Sequence, residues 1–260
     1  MSERGHRFIV TVALLAWIAI ATGAFQSSSR IGLHVAQPGT AHVILGVGTL
    51  FAVFGLCFWG RIARTALGLA FASVALSSIT GWISPVSPGR VVWHAVFSHL
   101  AIGLITAAAV MTSASWSHPA KPISAGQWKA LRPAAQWTPP IVLLQIAMGA
   151  LYRHQILGVM PHMLGAMVVA ILALVVSMTL IQHFGDQPQL KSSASALIAV
   201  VLVQVCLGIA AFLMLLLGAG NTSAFVWLTT GHVCVGSLTF AASIVAGMQA
   251  HRYLTTPELP

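Results

Sequence analysis

The sequence predicts an all-α integral membrane protein of eight transmembrane helices, arranged as two pseudo-repeated four-helix bundles. Three observations carry this reading. Hydrophobic residues fill 58% of the 260 positions and charged residues 6%, with a mean hydropathy of +0.91, a composition outside that of soluble domains. The apolar residues fall into runs of about 20, the length that crosses a bilayer core. A histidine stands near the start of every second run, with a small residue one helical turn later.

The runs lie near 8–25, 40–60, 63–83, 92–113, 139–157, 160–183, 195–218 and 224–250. The first follows Arg4, His6 and Arg7, as a signal peptide would, but no small-residue cleavage site precedes Gln26, so it reads as a retained helix. With the N-terminus inside, Arg4, Arg7, Arg61, Arg64, Lys121, Lys129, Arg132, Lys191 and Arg252 collect on the inner side, and Arg30, Arg90 and Arg153 on the outer. That asymmetry predicts a multi-pass protein of a bacterial-type cytoplasmic (inner) membrane with both termini cytoplasmic. The net charge of +9 thereby sets orientation in a lipid bilayer, and a nucleic-acid partner is excluded. Cys57, Cys206 and Cys234 lie inside apolar runs in no paired spacing, which indicates neither a disulfide framework nor a zinc site. They read as small core residues.

A connection rich in Pro, Ser, Trp and Lys divides the chain into an N-terminal bundle, 1–117, an inner linker, 118–138, and a C-terminal bundle, 139–260. The halves look duplicated. His42 is followed by Gly46 and Thr49, His99 by Gly103 and Thr106, and His232 by Gly236 and Thr239, while His162 keeps the small residue as Ala166. Gln145 before Gly149 and Gln204 before Gly208 form a second pattern, confined to the second half.

Bilayer helices tolerate ionisable side chains where something binds or pairs with them. The recurring histidines fall at one depth, two per bundle, where they can face each other across the bundle axis and ligate one haem iron from both sides. A glycine or alanine one turn later lets a flat ligand or a neighbouring helix approach the backbone. His162 and His232 form the candidate pair of the second bundle, and His42 and His99 that of the first. His94 is the alternative to His99: five residues apart they point about 140° from each other, so both cannot face one iron. His6, His118, His183 and His251 read as solvated residues of the inner side, and His34 and His154 as outer-loop candidates for a lid or a haem edge. Arg153, beside the mouth of the second bundle, is the candidate partner of haem propionates, with Arg30 and Arg90 in that role for the first. Snorkelling to the headgroups is the alternative for each.

On these residues the chain resembles the heme A synthase family of cytochrome oxidase assembly proteins. The resemblance spans nearly all of it: two four-helix halves, a histidine on each even helix, QIAMGALYR from Gln145 to Arg153, and QVCLG from Gln204. It implies an oxidoreductase that converts the methyl group of haem O to the formyl of haem A. It implies haem b on His162 and His232, a substrate haem on His42 and His99, and haem O synthase or cytochrome oxidase subunits as partners. The family's glutamate, about one turn before the first-half histidine, has no counterpart in Pro38, Gly39, Thr40 and Ala41, and the chain's acids are Glu3, Asp186 and Glu258. Val43 and Met163 stand where a basic residue commonly follows the histidine, and no outer-loop cysteine pair is present. The second reading is therefore a non-catalytic haem-binding membrane protein, either an electron-transfer subunit or a haem-holding assembly factor. A repeat-built transporter is disfavoured, because the halves share one orientation and no Gly/Pro-broken helix pair stands out.

Overall fold

A computed structural model describes residues 3–32, 39–59, 63–82 and 87–255. His34, Pro38, Arg61 and Glu258, singled out above, lie outside them. Among the described residues eight long helices follow one another: α1 Glu3–Gly32, α2 Thr40–Trp59, α3 Arg64–Trp82, α4 Pro88–Met111, α5 Leu131–Arg153, α6 Val159–Phe184, α7 Pro188–Leu216 and α8 Ser223–Tyr253. Local chemistry sets several ends. Ser87 and Thr222 accept hydrogen bonds from the first turns of α4 and α8, Pro88 and Pro188 stand where no helical N–H is needed, and Gly218 turns at φ 70° after α7.

Seven of the eight are long and apolar enough to cross a membrane. The exception is α5. It begins at Leu131, well before the expected 139, and carries Arg132, Gln136, Gln145 and the pair Pro139–Pro140 in its interior. The prolines leave two carbonyls of the helical ladder without their usual partners. One of these, Ala135 O, lies against Gly247 of α8, where an added Cβ would sit 2.8 Å from it. A glycine is needed there because two backbones meet.

Successive helices pack on each other, α1 closes on α4 and α5 on α8, and α1–α8, α4–α5 and α4–α8 form a seam between the two rings. The helix faces are apolar outward, with Phe58 75% and Trp82 76% exposed, as expected where the surroundings are lipid. One packed cluster joins Ile9, Val12, Leu56, Leu67 and Ile105, and another joins Leu131, Leu180, Leu190 and Leu254. Both lie toward the end that carries the connection between the rings.

That linker end is tied together by polar contacts. His6 Nδ1 meets Thr112 Oγ1 at 3.3 Å, Arg252 donates to the His118 carbonyl and stacks over Trp116, and strands β1 (Ile123–Ser124) and β2 (Leu254–Thr255) pair in parallel. The four histidines expected on the inner side are placed here, with defined neighbours: His183 stacks on Trp128 at 4.4 Å, and His251 takes Gln136 Nε2 at 2.7 Å.

Two imidazole pairs as the candidate functional site

At the opposite end, each ring of helices holds two imidazoles face to edge. His162 and His232 have centroids 6.3 Å apart at 86°, and His42 and His94 have centroids 5.6 Å apart at 75°. The ring that His42 faces is thus that of His94, the alternative to His99. His99 is 5% exposed and its Nδ1 donates back to the Ala95 carbonyl at 2.7 Å. One turn further along its face, Gly103 packs against Phe240 and Ile244 of α8. The small residue after His99 serves the seam between the rings.

The four paired histidines share a setting. Each lies near the start of an even helix and rests on a glycine of the preceding odd helix: a Cβ added at Gly23 would come 2.7 Å from the His42 ring, at Gly81 3.0 Å from His94, at Gly149 2.9 Å from His162, and at Gly208 3.0 Å from His232. Without a side chain at those positions the imidazole reaches the backbone of the neighbouring helix. The residue four before each glycine then meets Nδ1. His42 Nδ1 donates to Ala19 O at 2.8 Å, His94 Nδ1 to Ser77 O at 2.8 Å, and His232 Nδ1 to Gln204 O at 3.2 Å. A carbonyl can only accept, so these Nδ1 atoms carry the proton, and the lone pair of such a ring in its neutral form sits on Nε2; at His232 that Nε2 lies 3.3 Å from Gln204 Nε2, a donor. At His162 the Gln145 side chain takes this place, with Nε2 2.8 Å from Nδ1 and 2.7 Å from the His162 carbonyl.

In the second ring Gly236, expected to admit a flat ligand, has a glutamine against it, and so has Gly165, the neighbour of the expected Ala166. Gln145 Oε1 presses on Gly165, and Gln204 lies 3.2 Å from a Cβ placed on Gly236. Gln145 Oε1 and Gln204 Oε1 are both buried without a hydrogen-bond partner. In the first ring nothing lies within 4 Å of a Cβ on Gly46. The recurring threonines, Thr49, Thr106 and Thr239, bond the carbonyl four residues back on their own helices.

Arg153 reaches across the seam. Its Nε donates to Ser27 Oγ at 3.2 Å and one terminal nitrogen to Ala24 O at 3.2 Å and Ser28 Oγ at 2.5 Å. Thr229 and Thr230 also donate to Ser28 Oγ. Arg153 therefore links α5, α1 and α8, a role the sequence reading did not foresee. The guanidinium has five N–H donors, so donors remain for an anion. Tyr152 was missed as well; its ring lies parallel to His162 at 6.3 Å.

Chemically, each pair offers two nitrogen donors to one acceptor between them. Two imidazoles bound to opposite sides of a metal at roughly 2 Å per bond have centroids roughly 6 Å apart, the scale of both pairs. No group of three or more His, Cys, Asp or Glu among the described residues could hold a bare ion, so a metal here would bring its other ligands with it. Fold and site define a multi-pass, all-α membrane protein with two histidine pairs at one end of its helices. No family model matches the chain, and no curated protein matches it.

Proposed function

We propose that this chain is a haem-binding membrane oxidoreductase of the heme A synthase type, with eight crossings that include α5 and two halves derived by duplication. The observation that carries the reading is the fourfold setting of His42, His94, His162 and His232, each on a glycine of the preceding helix, in two opposed pairs. The donor set suits haem: an imidazole whose Nδ1 is held by a carbonyl, as in three of the four, binds iron through Nε2, and at His232 iron would displace the Gln204 amide nitrogen 3.3 Å away. Ligation through His162 Nε2 requires its Nδ1 to carry the proton, and the Gln145 amide nitrogen, which donates to the His162 carbonyl at 2.7 Å, would then have to move off Nδ1.

On this reading His162 and His232 hold haem b, and His42 and His94 hold the haem O substrate. When bound, the haems supply one-electron transfer and oxidation of a methyl group, with oxygen and electrons coming from outside the chain. The protein's residues orient the imidazoles in an apolar setting and through Arg153 offer donors to carboxylates at that end. The membrane would be a bacterial-type inner membrane with both termini cytoplasmic, and haem O synthase or cytochrome oxidase subunits would be partners.

One observation favours the second reading, a non-catalytic electron-transfer or haem-holding protein: the chain's three acids are Glu3, Asp186 and Glu258, and neither Glu3 nor Asp186 is on the histidine-bearing end. Haem extraction and chromatography after co-expression with a source of haem O separates the two. Haem A in the product supports the synthase. Haem B alone, at two equally held copies per chain, overturns it.

A further inference from the structure

At the linker end, a groove of about 390 Å³ opens between the start of α7 and the end of α8, and its lining changes character with depth. Of its lining residues, Ser115, Ser192 and Gln249 lie nearer the start of α7 and the end of α8, and Ala196 and Ala242 lie further along those helices. Ala196 lies eight residues into α7, roughly 12 Å along it, and Ala242 lies seven residues before Gln249, roughly 10 Å. A polar mouth followed by an apolar floor matches an amphiphile that enters from the membrane.

Two features define the polar end. Gln249 is 8% exposed, and its Oε1 is buried with no hydrogen-bond partner, a state that costs free energy unless a donor arrives. The first turn of α7 has no side-chain cap, so the N–H groups of Gln189 and Leu190 lack intrahelical partners and present the positive end of a 29-residue helix. Lys191 adds an exposed cation on that turn, and Asp186 an exposed anion just before it.

We infer that this groove binds one phospholipid whose headgroup carries an N–H or O–H donor, such as an ethanolamine or a glycerol. The phosphate lies at the first turn of α7, the headgroup donates to Gln249 Oε1, and the start of an acyl chain runs along Ala196 and Ala242. An isoprenoid quinone fits less well, because its carbonyls only accept and would leave Oε1 unmet. It would also be far from the imidazoles, since Gln249 and His232 are 17 residues, roughly 25 Å, apart on α8. The inference stands apart from the haem reading.

Native mass spectrometry of the delipidated full chain in detergent tests it, with phosphatidylethanolamine, phosphatidylcholine, diacylglycerol, a short-chain quinone and glycerophosphoethanolamine as probes. One phosphatidylethanolamine should bind roughly tenfold more tightly than phosphatidylcholine, which lacks the donor. Diacylglycerol and the quinone should bind no better than phosphatidylcholine, and the chain-free headgroup should fail to compete. Gln249→Leu should erase the preference for ethanolamine over choline. Ala196→Trp, at an exposed position that leaves the packed core untouched, should remove the bound lipid. Equal binding of the two lipids, a preference that survives Gln249→Leu, a lipid retained in Ala196→Trp, or tighter binding of the quinone would each overturn the inference.

Discussion

Replacing the glycine beneath each imidazole by alanine should destabilise the protein, while the same change at Gly46 should not. Ordinary contact with a Cβ begins near 3.4 Å, so the overlap is 3.4 − 2.7 = 0.7 Å at Gly23, 3.4 − 2.9 = 0.5 Å at Gly149, and 3.4 − 3.0 = 0.4 Å at Gly81 and Gly208. The imidazoles cannot swing aside freely, because Nδ1 holds each ring to the neighbouring helix or its glutamine. Overpacking of this kind costs about 1–3 kcal/mol, offset in part by about 1 kcal/mol of helix propensity gained on replacing glycine. At Gly46 nothing lies within 4 Å, so the propensity gain stands alone. Unfolding in mixed detergent micelles, followed by circular dichroism, should place Gly46→Ala at or above the parent. The other four should fall below it, with Gly23→Ala lowest. If Gly149→Ala and Gly208→Ala unfold with Gly46→Ala, the imidazoles are not seated on those helices as described.

Gly247→Ala should be among the most damaging glycine changes, because its Cβ would meet a backbone oxygen, Ala135 O, at 2.8 Å, and neither backbone can yield; a thermal-aggregation midpoint no lower than that of Gly46→Ala would refute this. Arg153→Leu and Ser28→Ala should couple in a double-mutant cycle by about 1 kcal/mol or more, since they share a charge-assisted hydrogen bond; additive effects would show that the bridge across the seam carries nothing. On the haem reading, His94→Ala should lower the haem content of the first bundle and His99→Ala should leave the absorption spectrum intact; the reverse result would return His99 to the ligand set.

Composition and run length made the membrane class and the helix order legible, because a bilayer demands long apolar helices whatever their packing. The polarity of α5 was less legible: its apolar part starts near 139, but the helix continues eight residues toward the linker through Arg132 and Gln136. The site was half legible. His42, His162 and His232 stand out in the sequence by position, and His94 is legible there only as the alternative to His99. The offset of four to a glycine favoured His99, yet glycine at Gly103 serves the contact with Phe240. What links the four histidines is a glycine on the preceding helix, and the separation from that glycine varies with each loop, 19 residues for His42, 13 for His94 and His162, and 24 for His232. No fixed spacing could reveal it. The better signal was the residue four before the glycine, visible as Gln145 and Gln204 and concealed as Ala19 and Ser77.

That substituted position also separates the two pairs physically. In the second ring, glutamines fill the space beside the imidazoles and press on Gly165 and Gly236. In the first ring, Ala19 offers His42 backbone alone, the Ser77 hydroxyl is shared between Ser98 at 2.7 Å and His94 Nδ1 at 3.2 Å, and the space over Gly46 is open. A buried ring restrained by backbone and side chain pays less to hold a ligand in one orientation than a ring restrained by backbone alone. On the proposed function, the second pair therefore suits a haem that stays, and the first suits one that enters and leaves. Gln145→Ala should loosen the second-bundle haem toward the behaviour of the first, read as faster haem transfer to apomyoglobin in detergent. Ser77→Ala should change the first bundle less, because Ser77 O keeps the 2.8 Å contact with His94 Nδ1 and the hydroxyl adds only a longer one at 3.2 Å. Equal transfer rates from both bundles in the parent protein would remove the distinction, and with it the reason for assigning the substrate to the first.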